Sequence, residues 1–582
     1  MIGEKLPKEG TVMSLNLSQL IAAKDKSAGY SSTNTSTFQS CVILALMPGR
    51  GRLRHEVGIA LIDLFYPHLI LCQINDSHVY PNTLAKINIY QPEEIIVPEV
   101  HTNEPRADKC LYEAIVRKFE GVNVTTIPRT HFNPSIGWDL LKIHCTDESS
   151  LVLEVLRQKE LATSAAAGLL RYIVYIQGIS YAPKTVKIEF QSCNDSVVIS
   201  IESVEALEIL NSHEAALPNR NLYNLIDKCV TAVGKKLLRA SILQPLYNVN
   251  RINDRLQCVT ELISNPSFLQ ILQNLERNKC NEVKAFISEI IQVDAIPAKG
   301  FTSANMQRCF AIKPKVSELL DVIRQAYCEL IDSMIQYVED LSIKYGLQLT
   351  LGCSAEAGYH ILTSPSEKLD RVLSNSTGSS SDRLLLLIKR KRARLLTTER
   401  LLVDSQKCGE ICEEIHIMSN VLIENLISKI RNYIGYFFQL CSDISELDLM
   451  VSLALVSRRE GFIRPTFGHK LCLIDSFHPI RLLFDSENCT PNNVIASVPY
   501  NFHVISGPNF GGKTTYLQQI LLIQLLAQIG CYIPAQRAEI RISDRLFFYS
   551  SVHVDAGRSM SGFATEVTFR VCVYVHPQSL PK

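Results

Sequence analysis

The sequence predicts a multidomain protein in which α/β domains flank a mainly α-helical middle. Three features support this prediction. Three β-branched runs follow one another near residues 41–76, helical periodicity dominates residues 165–457, and a glycine-rich loop precedes an apolar helix near residue 510. A chain of 582 residues has room for several domains of roughly 100–200 residues each.

Composition narrows the class of protein. Apolar residues make up 46% of the chain and charged residues 20%, which is ordinary for a globular protein. No stretch approaches the roughly 18 consecutive apolar residues of a membrane span, and the polar start lacks the apolar core of a signal peptide. We therefore expect an intracellular protein with no membrane partner. A net charge of +1 indicates that any nucleic-acid surface must be local.

The first 39 residues are polar and become rich in serine and threonine toward their end. Such a stretch cannot bury enough apolar surface to order itself, so we expect a disordered tail. The runs CVILALM, EVGIALIDLF and HLILCQIND follow, separated by polar turns, and mixed segments continue to about residue 162. Together they predict an α/β domain over residues 40–162.

Helical periodicity fills the middle of the chain. Apolar side chains recur at three- and four-residue spacing over residues 316–341, without proline or glycine, and predict one long helix. A second proline-free stretch covers residues 391–457. It is predicted to form helix up to about 100 Å long, with Gly409 and Gly435 as the points where the helix can be interrupted.

Positive charge concentrates at the start of this second helical stretch. We call five residues the basic cluster: Lys389, Arg390, Lys391, Arg392 and Arg394. A cluster of this kind can grip a polyanion through phosphate contacts. A charge run is more often only a solvated helix face, and the residues alone favour that second interpretation.

The 18 cysteines are scattered, mostly within apolar runs. The one close pair, Cys408 and Cys412, has helical spacing rather than the spacing of a zinc knuckle. Buried free cysteines behave as small apolar side chains. The sequence therefore favours buried thiols over a metal site.

A phosphate-binding loop follows the short run HVIS, which is predicted to be a strand. Residues Gly507 to Thr514 match the pattern G-x-x-x-x-G-K-[ST], and an apolar helix continues to Gly530. Glycines let backbone N–H groups point at phosphate oxygens, and the helix N-terminus adds its positive end. Lys513 is placed to neutralise β- and γ-phosphate charge, and the Thr514 hydroxyl to bind Mg²⁺. The alternative, an accidental glycine-rich turn, is disfavoured because motif and context agree.

These segments resemble one family, the MutS homologues, from about residue 40 to residue 566. The match is strongest over the phosphate-binding loop, its helix and the segment GCYIPA that follows. His478 and Pro479 resemble a dipeptide beside the family's adenine pocket. The core segment of the family is matched within residues 217–263 by Thr231, Gly234, Leu237, Leu238, Pro245, Leu246, Ile252 and Arg255.

The resemblance implies an RNase H-like connector, a long-helix core and lever with a clamp, and an incomplete P-loop ATPase domain of the ABC type. It implies ATP and Mg²⁺ as cofactors, with Thr514 at the metal. The nucleotide would be held by Gly507, Pro508, Asn509, Gly511, Gly512, Lys513, Thr514, Thr515 and His478. Because the family's clamp falls on the basic cluster, the resemblance also favours the DNA-binding interpretation of that cluster.

The resemblance implies a division of the chain into six parts. They are a tail (1–39), a connector domain (40–162), a core and lever domain (163–350), a clamp (351–420), a returning lever helix (421–457) and a truncated ATPase domain (458–582).

Within the family, the chain resembles the meiotic branch. Mismatch-recognising members carry a Phe-x-Glu motif whose aromatic ring wedges beside a mispaired base, and no Phe-x-Glu occurs in this sequence. The segment that opens with GRGRLRHEVGIALIDLF resembles the connector of the meiotic branch. This resemblance implies a clamp on double-stranded DNA or branched recombination intermediates such as Holliday junctions, which promotes crossovers with a second meiotic MutS homologue. It implies a nuclear, chromosome-associated protein.

The family pattern stops near the end of the chain. Ser561, Phe563 and Glu566 resemble the signature loop that reaches the partner's nucleotide, and nothing after them matches. The acidic pair that helps to hold Mg²⁺ and to position water is not found after Lys513, so we expect ATP binding rather than hydrolysis. We also expect a partly exposed loop helix, at Leu517, Ile520, Leu521 and Leu525. The alternatives are a generic mismatch-repair ATPase and a non-hydrolysing isoform that only binds partners.

Overall fold

The computed structural model describes residues 41–548, apart from short gaps at 78–79, 100–106, 120, 193–195, 213–218, 265–276, 293–300, 355–356, 375–382, 390–392, 485–488 and 509–510. The predicted tail (1–39) and the predicted signature loop with Ser561, Phe563 and Glu566 lie outside these residues. The described chain forms two compact units, the first from its described residues up to 264 and from 434 onward, and the second from its described residues between 277 and 433.

The first part of the chain is an α/β domain built on a six-stranded sheet. The three β-branched runs form β1 to β3, as predicted, because their side chains are buried on both faces of the sheet. The strand order is β5-β4-β1-β2-β3-β6, with β2 antiparallel to both β1 and β3 and the outer strands added in parallel. The strands are β1 (Val42–Pro48), β2 (Glu56–Asp63), β3 (His68–Asn75), β4 (Glu94–Pro98), β5 (Asn123–Ile127) and β6 (Lys187–Phe190).

Helices cover both faces of this sheet. The longest is α5, whose alanine-rich buried side packs on β1 and β2, and a side chain at Gly58 would strike the backbone of Leu161 within 2.2 Å. Because α5 and β6 belong to this domain, it continues past residue 162, where the sequence placed its boundary. The helices are α1 (Pro81–Tyr90), α2 (Ala107–Lys118), α3 (Pro134–His144), α4 (Ser150–Leu156) and α5 (Glu160–Tyr175).

The chain then becomes helical, as predicted. The elements up to residue 264 are β7 (Val198–Ile199), α6 (Ile201–Ala206), α7 (Leu222–Ile226), α8 (Ala232–Leu243) and α9 (Val249–Ser264). Thr231 caps α8 by accepting from the Gly234 N–H, and its hydroxyl donates to Asp448 Oδ2 at 2.6 Å. A Cβ at Gly234 would lie 2.2 Å from that same oxygen, so the core segment needs glycine there.

The second unit combines long helices with a four-stranded sheet of order β10-β11-β9-β8. Its apolar core lies between α12, α14 and the sheet. The elements are α10 (Arg277–Ile290), α11 (Phe301–Cys309), α12 (Glu318–Tyr345), β8 (Thr350–Ser354), β9 (Gly358–Thr363), α13 (Glu367–Ser374), β10 (Leu385–Lys389), β11 (Arg394–Thr397) and α14 (Glu399–Arg431).

The two long-helix predictions have different outcomes. The helix predicted over residues 316–341 is confirmed by α12. A continuous helix over residues 391–457 is wrong, because residues 394–397 form β11, whose backbone groups pair with β9 and β10. Gly409 does not interrupt α14, and the chain instead breaks at Asn432 and Tyr433 before the next helix begins.

The last described part returns to the first unit. A second four-stranded sheet has the order β13-β17-β14-β15, and α17 packs beside it within a large apolar core. The elements are α15 (Ile434–Ser457), β12 (Phe462–Ile463), β13 (Thr466–Gly468), β14 (Leu471–Ser476), α16 (Pro479–Phe484), β15 (Asn492–Ala496), α17 (Lys513–Ile529), β16 (Ile533–Pro534), β17 (Arg537–Arg541) and β18 (Arg545–Leu546). Among the helices described, none is both long and apolar enough to cross a membrane.

Candidate nucleotide-binding site

The phosphate-binding loop leads into the N-terminus of α17. Gly512 precedes the helix with a φ of 80°, a left-handed conformation that other residues adopt only under strain. No side chain caps this described end of the helix, so the first-turn N–H groups keep their hydrogen-bonding capacity. A helix N-terminus of this kind favours anions.

The predicted strand before the loop is not formed. Residues 503–506 have no regular structure and are exposed. Val504 retains 81% of its surface in water although its side chain is apolar. A strand requires a neighbour to pair its backbone groups, and the described sheet β13-β17-β14-β15 does not include this run.

Lys513 turns back toward the loop that precedes it. Its ammonium donates to the carbonyl oxygens of Gly507 at 2.9 Å and Pro508 at 2.8 Å. The charge is therefore held at the mouth of the loop, where the predicted phosphate would lie. A phosphate would offer this lysine shorter, charge-assisted hydrogen bonds in place of neutral carbonyls.

A cavity of about 700 Å³ joins the loop to His478. A cavity of this size falls in the range of small-molecule sites. Its described lining combines the loop, the start of α17, the start of α16 and the approach to β15. The residues are His478, Arg481, Cys489, Thr490, Asn492, Val504, Ile505, Ser506, Gly507, Pro508, Gly511, Gly512, Lys513, Thr515, Tyr516 and Gln519.

Most of the residues that the sequence predicted for the nucleotide site lie around this cavity. Seven predicted residues line the cavity: His478, Gly507, Pro508, Gly511, Gly512, Lys513 and Thr515. Thr514 is exposed and is not in the described lining, and Asn509 lies outside the described residues. The roles assigned to these side chains remain predictions.

His478 forms a neutral wall of the cavity. Its side chain is 6% exposed, and burial, helped by the nearby Arg481 and Arg220, lowers its pKa to about 4. The Arg481 backbone N–H donates to His478 Nδ1 at 3.3 Å, which assigns the ring proton to Nε2. An uncharged flat ring suits contact with a heterocyclic base.

Arg481 is a site residue that the sequence analysis missed. It lies three residues after His478 on α16 and is exposed. Arg481 and Lys513 are the two cationic side chains among the described lining residues, and no carboxylate is among them. The sequence feature that could have identified Arg481 is a basic residue one helical turn beyond the His-Pro dipeptide.

The described acidic residues after Lys513 make contacts with other parts of the protein. Glu539 lies in β17, with Oε2 3.5 Å from Lys470 Nζ. Asp544 has a buried Oδ1 without a hydrogen-bond partner among the described residues, and its carbonyl oxygen accepts from the Val198 N–H. Asp555 and Glu566 lie outside the described residues.

The C-terminal half of α17 is anchored in the protein. Leu521 and Leu525 are 1% exposed, so the expectation that they are partly exposed is wrong. They are covered because α17 packs into the apolar core that the core segment shares with β14, β16 and β17. Leu517 and Ile520, nearer the loop, are half-buried, as expected.

Three buried glutamines fix the register of α17. Gln519 Nε2 donates to the Ser476 carbonyl at 2.7 Å, and its Oε1 accepts from Asn492 at 2.9 Å. Gln528 Nε2 donates to the carbonyl oxygens of Leu246 and Ser543, both at 3.0 Å. Gln524 donates to the Arg541 carbonyl oxygen at 2.8 Å. Buried amides with these partners hold the helix in one position.

The core segment reaches the far end of the same helix. Arg255 donates to the Ile529 carbonyl oxygen at 3.4 Å, and its stem packs on Gly530. Cations favour helix C-termini because the last carbonyl groups point outward. The Tyr532 hydroxyl lies 2.9 Å from Thr260 Oγ1. The phosphate-binding loop is therefore connected to the core segment through one helix.

Two residues of the basic cluster, Lys389 and Arg394, lie on paired β-strands rather than on a helix. Lys389 ends β10, Arg394 begins β11, and the two residues are paired across the hairpin. Lys389 is exposed and Arg394 half-buried, while Arg390, Lys391 and Arg392 lie outside the described residues. For Lys389 and Arg394 the helix-face interpretation is wrong, because β10 pairs with β11 and β11 pairs with β9.

Comparison with known proteins matches three domains of one family in chain order. Residues 41–184 match MutS domain II, residues 202–454 match MutS domain III, and residues 503–574 match MutS domain V. The three matches cover the α/β domain, the helical middle and the phosphate-binding loop.

Individual relatives extend along most of the chain. The human "MutS protein homolog 4" is 29% identical over 93% of this chain and 64% of its own length. The Caenorhabditis elegans "MutS protein homolog him-14" is 26% identical over 92% of this chain and 72% of its own length. The Arabidopsis thaliana "DNA mismatch repair protein MSH4" is 25% identical over 91% and 76%. The chain spans 64% of the length of its human relative and 63% of the mouse relative.

Proposed function

Because the chain belongs to the MutS family, with domains II, III and V in order, we propose that it is an ATP-regulated DNA-binding component of meiotic recombination. The observation that carries this proposal is the single cavity that unites the phosphate-binding loop with a buried neutral histidine. The helix that leaves the loop is tied at its other end to the core segment. A change of nucleotide at the loop would therefore be transmitted along α17 to the core segment of the first unit.

The residues present fit ATP with Mg²⁺. Gly511, Gly512 and Lys513 would face the phosphates, and His478 would lie beside the base. Thr514 would bind Mg²⁺, which neutralises phosphate charge. The loop has the uncapped helix N-terminus, the left-handed glycine and the inward lysine that anion binding requires.

We extend the proposal to the fold of the two α/β domains. The antiparallel β1 to β3, flanked by parallel β4 and β5 with helices on the faces, supports an RNase H-like connector. The glycine-rich loop at the start of α17 supports a P-loop domain of the ABC type.

DNA binding by a clamp is supported by Lys389 of the basic cluster, which is exposed at the end of β10, opposite Arg394 at the start of β11. The preferred substrate would be double-stranded DNA or a branched intermediate such as a Holliday junction, bound with a second meiotic MutS homologue in the nucleus, on chromosomes. These assignments rest on the resemblance of the connector segment to the meiotic branch, and the relatives named "MutS protein homolog 4" agree with that branch.

The proposal is tested by replacing Lys389, Lys391 and Arg392 with alanine in the full chain. Affinity for a four-way junction and for a linear duplex is measured against salt concentration. We expect weaker binding to both and a log–log salt slope shallower by up to about 3, since each lost phosphate contact changes the slope by roughly one. A slope equal to that of wild type would remove the basic cluster from the DNA interface.

A matched control variant removes the same number of positive charges elsewhere in the same unit. Lys407, Lys429 and Arg431 lie on α14 of the same unit, and their replacement by alanine also removes three positive charges. The salt slope of this control variant should stay at the wild-type value. Stronger binding to a mismatched duplex than to the junction would favour the second candidate, a mismatch-repair protein, which the name of the Arabidopsis relative supports.

A further inference from the structure

Two cysteines and a histidine meet in the second unit, far from the nucleotide cavity in sequence. Cys309 is the last residue of α11, and Cys412 and His416 lie on α14. The helical spacing of four residues puts Cys412 and His416 on the same face of α14. Among the described residues this is the one group of three or more His, Cys, Asp or Glu side chains close enough to share a metal ion.

The three ligand atoms are spaced as a tetrahedral zinc ion spaces its ligands. Zinc binds sulfur at about 2.3 Å and imidazole nitrogen at about 2.0–2.1 Å, so tetrahedral angles require roughly 3.8 Å between sulfurs and roughly 3.6 Å between sulfur and nitrogen. Cys309 Sγ lies 3.6 Å from Cys412 Sγ and 3.6 Å from His416 Nε2. Cys412 Sγ lies 3.8 Å from the same nitrogen.

The segment that carries Cys309 is held in place independently of any ion. Buried Arg324, on α12, donates from Nε to the Cys309 carbonyl oxygen at 2.7 Å and from Nη1 to the Ile312 carbonyl oxygen at 3.0 Å. Its guanidinium also lies over the Phe310 ring, 5.6 Å from the centroid. The backbone of Cys309 is therefore fixed by contacts that do not involve its thiol.

We propose that Cys309, Cys412 and His416 bind one Zn²⁺, with water or another small ligand in the fourth position. Two thiolates and one imidazole form a soft ligand set that suits zinc and disfavours Mg²⁺ or Ca²⁺. Both thiols lose their protons to solvent on binding, and the two thiolate charges balance the dication. Cys309 is buried, whereas Cys412 and His416 are half-buried, so the ion has access to solvent.

The bound ion would tie α11 to α14. These two elements are separated by 103 residues at the two cysteines, and a metal that links them stabilises the second unit by closing a long loop. Cys408, one turn earlier on α14, is excluded as a ligand because its thiol faces the hydroxyls of Tyr327 and Tyr359.

The test is metal analysis of the full chain purified under reducing conditions. Mass spectrometry of the metal content should find about one zinc per chain, and each of Cys309→Ser, Cys412→Ser and His416→Gln should lower that content severalfold. The matched control is Cys328→Ser, which removes an exposed cysteine of α12 in the same unit and should keep the wild-type zinc content.

Cobalt replacement of the wild-type chain tests the proposal without relying on variants that fold poorly. Co²⁺ at this site should give the intense visible absorption of tetrahedral coordination and a thiolate charge-transfer band. Absence of zinc together with absence of this spectrum would overturn the proposal. So would zinc retained in all three ligand variants, or a Cys309–Cys412 disulfide in protein isolated with its thiols protected.

Discussion

The two ends of α17 differ sharply. At the N-terminal end, Gly511, Gly512 and Thr514 are exposed and the preceding run is irregular. At the C-terminal end, every residue from Leu521 to Ile529 is buried. One end presents backbone N–H groups and a lysine to a cavity, while the other is fixed by apolar packing, glutamine hydrogen bonds and Arg255.

The two ends of α17 therefore have different roles. The buried C-terminal half positions the loop, and the exposed N-terminal end is available to bind a ligand. The anchored half sets where the loop stands, because a helix transmits position along its axis through its own hydrogen bonds. The exposed half keeps polar groups available for a ligand, at the expense of the packing that would stabilise it. Substitutions at the two ends should therefore have different effects, on stability at one end and on nucleotide affinity at the other.

The largest expected effect is at the anchored end. Leu522 is 0% exposed, and Leu522→Ala should reduce local stability by about 2–5 kcal/mol because it leaves a cavity in a packed core. Hydrogen exchange of the α17 amides measures this. Leu517→Ala, on the half-buried turn of the same helix, is the control and should cost less. Equal protection in the two variants would contradict the comparison.

The second-largest expected effect is a pH dependence of stability that arises from His478 in the wall of the cavity. His478 has its pKa lowered from 6.5 to about 4 by burial, so the unfolded chain takes up a proton near pH 6.5 while the folded chain does not. Stability should be full above pH 6.5 and fall as pH drops toward 4, by on the order of 3 kcal/mol in total. Unfolding measured against pH should lose this component in His478→Gln and keep it in His469→Gln, a change at an exposed histidine.

At the exposed end, Lys513→Ala should weaken nucleotide binding without changing stability. Loss of a charge-assisted hydrogen bond of about 1.5–3 kcal/mol corresponds to a rise in Kd of about 10- to 100-fold. Titration with a fluorescent ATP analogue measures it, and Lys470→Ala, which removes a lysine of the same region, is the control. Equal affinity of wild type and Lys513→Ala would refute the phosphate-binding assignment.

The smallest expected effect is at the junction between α17 and the core segment. Arg255→Met keeps an apolar stem but removes the hydrogen bond to the Ile529 carbonyl. We expect a loss of about 1 kcal/mol in stability. Arg251→Met, an exposed change one turn earlier on α9, should have almost none. Thermal unfolding of the two variants side by side distinguishes them.

The sequence predicted much of the fold where local pattern and tertiary environment agree. The β-branched runs became β1 to β3 because side chains on both faces are buried, and the periodic stretch near residue 316 became α12 because one stripe of it faces the apolar core. The loop Gly507–Thr514 could be found because its glycine, lysine and threonine spacing is specific to phosphate binding when an apolar helix follows. The strand before the loop was mispredicted, since a β-branched run forms a strand only when a partner strand is available.

The sequence by itself determined the family, the class of the described regions and the residues predicted to bind phosphate, because these depend on spacing between near neighbours. Tertiary structure alone decided which distant residues meet. It brought His478 and Arg481 to the loop, set Arg255 against the end of α17, buried Leu521 and Leu525, and joined Cys309 to Cys412 across 103 residues. The physical reason is that side-chain burial and long-range contacts depend on how elements pack, which the periodicity of any one segment does not encode.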